Sequence, residues 1–225
     1  QAANFPIEVL YLRDDDIPQV VANGTASLGI VGLNEVAERG CDVEVVKKLG
    51  FGGCRISLAV PKGVQYDGVE YFQGKRIATS YPNILRKFLA EHGVEAEMEV
   101  ITGSVEIAPA AGIADAIFDI VSSGGTLVTN GLKEVERVFE SEAVLIANRS
   151  LSAEDRELLD ELLFRIESES VSRGKKYLLM NIPTASLDEA VKILPAMRSP
   201  TVMPLAVEGW CSLHSVVDSA DLWDK

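Results

Sequence analysis

The sequence predicts an α/β protein, with parallel βαβ units wound into an open sheet and a smaller ferredoxin-like module after them. Three observations carry that prediction. Short apolar runs alternate with capped helical stretches through about the first 150 residues, the rhythm of parallel strands joined by crossover helices. A long amphipathic stretch at residues 152–170 then breaks the alternation. Beyond it the order becomes strand, helix, strand, strand, helix, a ferredoxin-like arrangement without its last strand.

The elements follow in order. Residues 7–12 are the first strand candidate. Asp14-Asp15-Asp16-Ile17-Pro18 reads as a helix start, because carboxylates and a proline both suit a first turn. Gly24 ends that helix, and residues 27–31 form a short buried strand closing on Gly32. Residues 54–60 (Cys-Arg-Ile-Ser-Leu-Ala-Val) are another strand, stopped by Pro61. Past a loop rich in Gly and Asp come a strand at 75–79 and a helix at 83–92, capped by Asn83 and ended by Gly93. A strand at 97–101, a helix at 104–111 and a strand at 116–121 continue the pattern, and 143–147 returns as an apolar strand. The helix at 152–170 is capped by Ser152 and gathers Leu158, Leu159, Leu162, Leu163 and Ile166 on one face. After Arg173-Gly174 the terminal module places strands at 177–181, 201–205 and 212–217, a helix at 187–194, and a helix start at Asp221-Leu222-Trp223.

Twenty-one Lys and Arg against 34 Asp and Glu leave a net charge of −13. That balance argues against nucleic-acid binding, where a basic face supplies most of the affinity. Small anions held by backbone N–H groups or by magnesium remain compatible with it. A composition of 47% hydrophobic and 24% charged residues is that of a folded globular chain. No apolar run approaches the roughly 18–20 residues that span a bilayer. Cys41, Cys54 and Cys211 are widely spaced and lack a C-x-x-C pattern. They read as reduced thiols of a cytoplasmic protein, neither a disulfide framework nor a zinc site. The opening Gln-Ala-Ala-Asn-Phe-Pro, with no initiator Met and no signal segment, looks like a cut into mid-fold.

The most informative stretch is Asp115-Ala-Ile-Phe-Asp119-Ile-Val-Ser122-Ser123-Gly124-Gly125-Thr126-Leu127. A strand carries an acidic residue near its end, then opens into a Ser/Gly/Thr loop before a helical turn. Small consecutive residues let backbone N–H groups converge on a phosphate, and hydroxyls add donors. An Asp beside such a cradle accepts from ribose hydroxyls or holds magnesium. On local pattern alone, a plain Gly-rich β-to-α turn stands equal to phosphate binding. Thr79-Ser80-Tyr81-Pro82-Asn83 is a second strand-to-helix turn suited to an anion or a nucleotide edge, with a capped helix over a packed Tyr81 as the alternative. Arg13, Asp14 and Asp15 suit a nucleotide or metal in a cleft, or helix capping with a surface salt bridge, which is the better reading for Asp16. Arg55, after two glycines, projects a cation towards phosphates, while Lys75 and Arg76 read as solvated. His92 suits a helix-end dipole role, His214 a core position, and Trp210 and Trp223 the packing of the last module.

Glu106, Gly112, Ala114, Asp119, Ser123, Gly124, Thr126 and Leu127 match, position by position, the signature of ATP phosphoribosyltransferase, and the whole chain resembles that family. Arg13-Asp14-Asp15-Asp16-Ile17-Pro18, Phe51-Gly52-Gly53-Cys54-Arg55 and Gly74-Lys75-Arg76-Ile77-Ala78-Thr79-Ser80-Tyr81-Pro82 agree with it. The resemblance implies the first reaction of histidine biosynthesis. N1 of ATP attacks C1′ of phosphoribosyl pyrophosphate (PRPP), and pyrophosphate leaves with magnesium present. Asp119 would contact the ribose hydroxyls as the catalytic residue, and Ser122, Ser123, Gly124, Gly125, Thr126 and Leu127 would cradle the 5-phosphate. Arg13, Asp14, Asp15, Arg55, Thr79, Ser80 and Tyr81 are the nucleotide-binding candidates, and no metal-ligand set stands out.

The implied architecture is a two-lobed core like a type II periplasmic binding protein, with a C-terminal ferredoxin-like (ACT/PII-like) regulatory domain. Residues 1–60 and 143–170 would form lobe I with a linker helix, 61–142 the PRPP-binding lobe II, and 174–225 the regulatory domain. The crossovers would lie near 55–60 and 143–147. A strand and a Lys-Gly-Arg-Leu-like segment are expected ahead of Gln1, and a last strand after Lys225, so the chain is expected to be truncated at both ends. Long-form relatives are homodimers that close into homohexamers, with histidine, and AMP, as inhibitors. The effector would sit near Asn181, Thr201 and Ser215, and Asn181 stands where some relatives carry Asp. The rival reading is a bilobal small-molecule binding protein without catalysis, since fold alone does not separate the two.

Overall fold

The computed structural model describes residues 4–122, 124–194 and 199–222, and the chain divides into two units, Gln1–Ser152 and Ala153–Lys225. In the first unit α1 (Ile17–Ala22) carries its proline in the first turn, and Gly24 turns the chain with a positive φ. Asp16 stands at its N-cap without a side-chain capping bond. β1 (Leu28–Gly32) lies tightly against α1. A Cβ on Gly29 would fall 2.7 Å from Ile17 Cγ2 and 2.9 Å from Val21 Cγ2, so only glycine permits that approach. α2 (Leu33–Arg39) and β2 (Val43–Lys48) come next, and neither shows as an apolar run. The reason is physical: the side chains α2 buries fully are Asn34, Glu35 and Glu38, while Leu33 and Val36 only half-bury against the first core.

β3 (Cys54–Pro61), β4 (Arg76–Thr79), α3 (Pro82–Glu91), β5 (Glu97–Val100), β6 (Ala116–Val121), α4 (Gly125–Thr129) and β7 (Leu132–Ser141) build a five-stranded sheet in the order β5-β4-β6-β3-β7. β8 (Ala143–Asn148) returns to pair between β1 and β2. In place of the expected doubly wound parallel sheet there are two sheets, the three-stranded one antiparallel and the five-stranded one mixed. Only β5, β4 and β6 run parallel; β3 is antiparallel to β6 and β7, and β8 to both its neighbours. The chain passes between the sheets at residues 49–53 and again at Glu142, so β3 belongs wholly to the second sheet and its crossover precedes residues 55–60. Strand alternation splits the second core. Leu58, Val60 and Phe118 pack with Phe72 and Leu85 on one face, while Ala59 and Ile117 pack with Val105, Leu127 and Leu132 on the other.

Two further expectations fail. Residues 7–12 join neither sheet, and Val9, Leu10, Tyr11 and Leu12 are exposed; β-propensity needs a pleated neighbour to act on. The 104–111 helix reduces to a 3₁₀ turn at Val105–Ile107, entered through Ser104 with φ 52°.

In the second unit, α5 (Ala153–Ser172) has Leu159 buried and Leu158, Leu162, Leu163 and Ile166 half-buried, the face expected of it. This helix, expected as the linker, falls within the second unit. β9 (Lys175–Pro183), α6 (Leu187–Ile193), β10 (Thr201–Pro204), β11 (Trp210–Asp218) and α7 (Ser219–Leu222) complete the unit. The antiparallel order β10-β11-β9 puts the first strand beside the third and the third beside the second, as a ferredoxin-like sheet requires. Trp210 is 43% exposed, so it does not fill the core expected of it. Trp223 lies outside the described residues.

Candidate functional site

β6 is buried along most of its length but leaves Asp119 half-buried near its C-terminal end. Asp119 lies directly across from Ser57 on β3, so both side chains share one face of the sheet. Burial pushes its carboxyl up to about 6; the Ile120 amide opposes the shift and the Glu106 charge adds to it. The chain then turns at Gly124 (φ +79°), which is the N-cap of α4, a conformation that L side chains rarely adopt. Ser122, Gly125 and Thr126 are exposed, whereas Leu127 is buried and anchors the loop in the core. Ser123 lies outside the described residues. The 119–127 stretch thus brings an Asp, a left-handed glycine and an exposed hydroxyl together at one strand-to-helix turn.

Arg55 stands beside this turn but is already paired. Its Nε and Nη2 donate to Glu134 Oε1 and Oε2 at 2.6 and 2.7 Å, and its Nη1 donates to the Ser122 carbonyl at 3.0 Å. Ser57 Oγ donates to the same Glu134 Oε1 at 2.8 Å. The Arg55 hydrogen bonds, the Ser57 bond and the charges of Arg55 and Arg137 hold the Glu134 carboxyl down at about 2, although burial acts in the opposite direction. The pair therefore stays ionised throughout the neutral range. No local signal marks Glu134, which sits in the charged run Lys-Glu-Val-Glu-Arg, 79 residues from Arg55.

The second candidate turn serves a different purpose in this structure. Thr79 is fully buried, and its Oγ1 accepts from the Tyr81 amide at 2.8 Å. Ser80 Oγ donates to the Ile101 carbonyl at 2.7 Å. Tyr81 is buried, and its hydroxyl donates to Glu35 Oε1 at 3.0 Å while accepting from Asn34 Nδ2 at 3.2 Å. Burial and then the Glu35 charge push the phenol far above its usual value, with a small contribution from Asp119. Glu35 is itself raised, mainly by burial. Asn83 is not the N-cap of α3; that position falls on Tyr81, which makes no side-chain capping bond. Glu38 of α2 takes the capping role: its carboxylate accepts from the Asn83 amide at 3.0 and 3.1 Å and from the Ile84 amide at 3.0 Å. Asn83 Nδ2 donates back to the Glu38 carbonyl at 3.0 Å. Asn34, Glu35 and Glu38, none of them foreseen, thus join the first sheet's helix to the second sheet's helix.

Arg13, Asp14 and Asp15 gather near the same place. Arg13 Nε lies 3.2 Å from Asp15 Oδ1, Arg39 Nη2 lies 3.4 Å from Asp15 Oδ2, and Asp14 Oδ1 accepts from the Asp15 amide. The charges of Asp14 and Asp15 both bear on Glu35. Among the described residues no three His, Cys, Asp or Glu side chains converge as a metal site. In the second unit, Thr201 pairs across from His214, and Asn181 from Ser212, on one face of the sheet. Ser215 follows His214 and so points to the opposite face, where it is buried. The three effector candidates therefore cannot line one pocket. His214 is not a core side chain either: Nδ1 lies 2.7 Å from Tyr177 Oη and Nε2 lies 2.9 Å from Ser212 Oγ.

The profile of the family described as ATP phosphoribosyltransferase matches residues 13–168, and that described as HisG, C-terminal domain, matches 172–225. A protein of Bacteroides thetaiotaomicron named ATP phosphoribosyltransferase is 60% identical over all of this chain and 79% of its own length. One of Cytophaga hutchinsonii with the same name is 53% identical over 99% of this chain and 78% of its own length. Among solved structures, the ATP phosphoribosyl transferase (HisG:HisZ) complex from Thermotoga maritima matches with a TM-score of 0.63 and 28% identity, over 70% of this chain and 76% of that one. The substrate-binding protein of an amino acid ABC transporter matches with a TM-score of 0.54 at 14% identity, over 73% of this chain and 74% of its own, a likeness of fold alone.

Proposed function

Because the chain belongs to the ATP phosphoribosyltransferase family, we propose that Asp119 and the 122–127 loop carry the transfer of the phosphoribosyl group from PRPP to N1 of ATP. The observation that carries this reading is one turn holding a half-buried Asp119, the left-handed Gly124 and the exposed Thr126. N1 of adenine is already an unprotonated nucleophile, so no general base is required. The ribosyl carbon gains cationic character as its bond to pyrophosphate breaks, and positioning and electrostatics supply the catalysis. Asp119 accepts from the ribose hydroxyls and opposes that positive charge, while the loop amides and the Thr126 hydroxyl hold the 5-phosphate. Pyrophosphate release on mixing the protein with ATP, PRPP and magnesium is the direct test. A chain that bound both substrates and released none would restore the binding-protein reading.

Magnesium would supply charge neutralisation to the departing pyrophosphate. It commonly takes one or two protein carboxylates and completes its shell with substrate oxygens and water. Asp119, beside the loop, is the carboxylate we propose would hold it. We further propose a homodimer that closes into a homohexamer with histidine or AMP, and a cytoplasmic setting. Among the described residues no helix is long and apolar enough to cross a membrane.

Thr126→Val keeps the shape of the side chain and removes its hydroxyl. A hydrogen bond to a charged group contributes about 1.5–3 kcal/mol, so PRPP affinity should fall roughly ten- to a hundredfold with much less effect on ATP. Calorimetric titration measures both, and equal PRPP affinity would remove Thr126 from the cradle. For the effector we propose the face that carries Asn181 and Thr201; Ser215 is buried on the other side of the same sheet. Thr201→Ala should raise the histidine inhibition constant about tenfold, one hydrogen bond to a charged ligand. An inhibition curve identical to the parent's would place the effector elsewhere.

A further inference from the structure

We infer that Arg55 is a positioning residue for the phosphate cradle: clamped by Glu134, it holds the Ser122 carbonyl and does not itself bind phosphate. This rests on the reading of the 122–127 loop as the PRPP cradle. Three of the five guanidinium N–H donors are committed, one from each nitrogen. Nε and Nη2 form a two-bond fork with Glu134, and Nη1 takes the Ser122 carbonyl at the first residue of the loop. Glu134 is fixed in turn by Ser57 Oγ and by Arg137 Nε at 3.3 Å. The Arg55 and Glu134 side chains are only 19% and 20% exposed. Ser57 lies directly across the ladder from Asp119, and Arg55 from Val121, so the clamp and the catalytic carboxylate share one sheet face.

The electrostatics favour the same assignment. A carbonyl oxygen left free at the mouth of an anion site would repel phosphate, and a guanidinium that takes it up removes the repulsion. The Glu134 charge meanwhile neutralises Arg55, which leaves the pair a poor phosphate ligand but a rigid brace. Lysine cannot replace it, because an ammonium group lacks the planar fork that engages Glu134 and aims a third N–H at Ser122.

Steady-state kinetics and thermal melts of the parent, Arg55→Lys, Glu134→Gln, the double variant and Thr126→Val form the test. Arg55→Lys should raise KM for PRPP about tenfold, the loss of one charge-assisted hydrogen bond, with KM for ATP changed less than twofold. Glu134→Gln should act in the same direction, and the double variant should be no worse than the more affected single variant. If Arg55 were itself a phosphate ligand, freeing it from Glu134 would leave KM for PRPP unchanged or lower it, and that result overturns the inference. A rise in KM for both substrates in step with a falling melting temperature would also overturn it, by marking the pair as general scaffolding. If Thr126→Val raises KM for PRPP while neither Arg55→Lys nor Glu134→Gln does, the cradle stands and the inference falls. If none of the variants affects PRPP, the cradle reading fails first, and the brace with it.

Discussion

Replacing Asp119 by Asn should lower turnover about a hundredfold, the scale of removing one group that stabilises developing charge, while making the protein more stable at pH 8. The two effects share one cause. Burial raises the Asp119 carboxyl from 3.8 to about 6, so keeping it ionised in the folded state costs on the order of 3 kcal/mol at about 1.4 kcal/mol per pKa unit. The native carboxyl holds its proton to higher pH than the unfolded one. Its stabilising contribution is therefore complete below about pH 4 and is lost as pH rises through about 6. Asn does not titrate, so the variant's advantage should be absent near pH 4, grow towards pH 6 and level off above it. Turnover should suffer more than PRPP binding, because the positive charge on ribose exists only near the transition state. Parental kcat/KM should decline below about pH 6 as Asp119 takes up its proton, and the variant's profile should lack that limb. Melts at pH 4, 6 and 8 with pH–rate profiles check both halves. Parental kcat with a raised KM would make Asp119 a ground-state contact only.

The difference between what sequence and structure disclose has a consistent physical origin. β3, β6 and β8 are legible because they lie inside their sheets and are apolar on both faces. β7 is an edge strand that interleaves Lys133, Glu134, Glu136 and Arg137 with its apolar residues, and charge at an edge hides the strand from an apolar-run reading. α2 is hidden for another reason, since its buried face is Asn34, Glu35 and Glu38. Asp119, Gly124 and Thr126 can be found because the whole motif lies within nine consecutive residues and its parts need no distant partner. Arg55 can be found but not interpreted: its chemistry is set by Glu134, 79 residues away. Thr79 and Tyr81 look like ligand-binding hydroxyls in a turn, yet one is spent on the turn's own amide and the other on α2. Sequence locality marks which groups are chemically capable, and topology decides which of them remain free.

Glu38→Ala should lower stability by on the order of 3 kcal/mol, about two hydrogen bonds to a carboxylate lost from a buried site, and melting should fall by roughly 6–12 °C for a chain of this size. The size of the effect follows from how α3 begins. Pro82 at its start has no N–H to satisfy, Tyr81 provides no side-chain cap, and the Leu85 amide already reaches the Tyr81 carbonyl at 3.1 Å. Asn83 and Ile84 are left as the orphan donors of the first turn, and Glu38 takes both. A carboxylate is also favoured there by the positive end of the helix dipole. Glu38 is 6% exposed, so water cannot replace it without the two helices parting. Because α2 follows a strand of the first sheet and α3 a strand of the second, the cap is also a clasp between the two sheets of the first unit. Glu38→Gln keeps one acceptor oxygen and should lose about half as much. Amide exchange at Asn83 and Ile84 should quicken in the Ala variant well before exchange in the buried strands β3 and β6. A variant that melts with the parent and protects those two amides equally would show that α3 is capped by some other group and that the clasp contributes nothing.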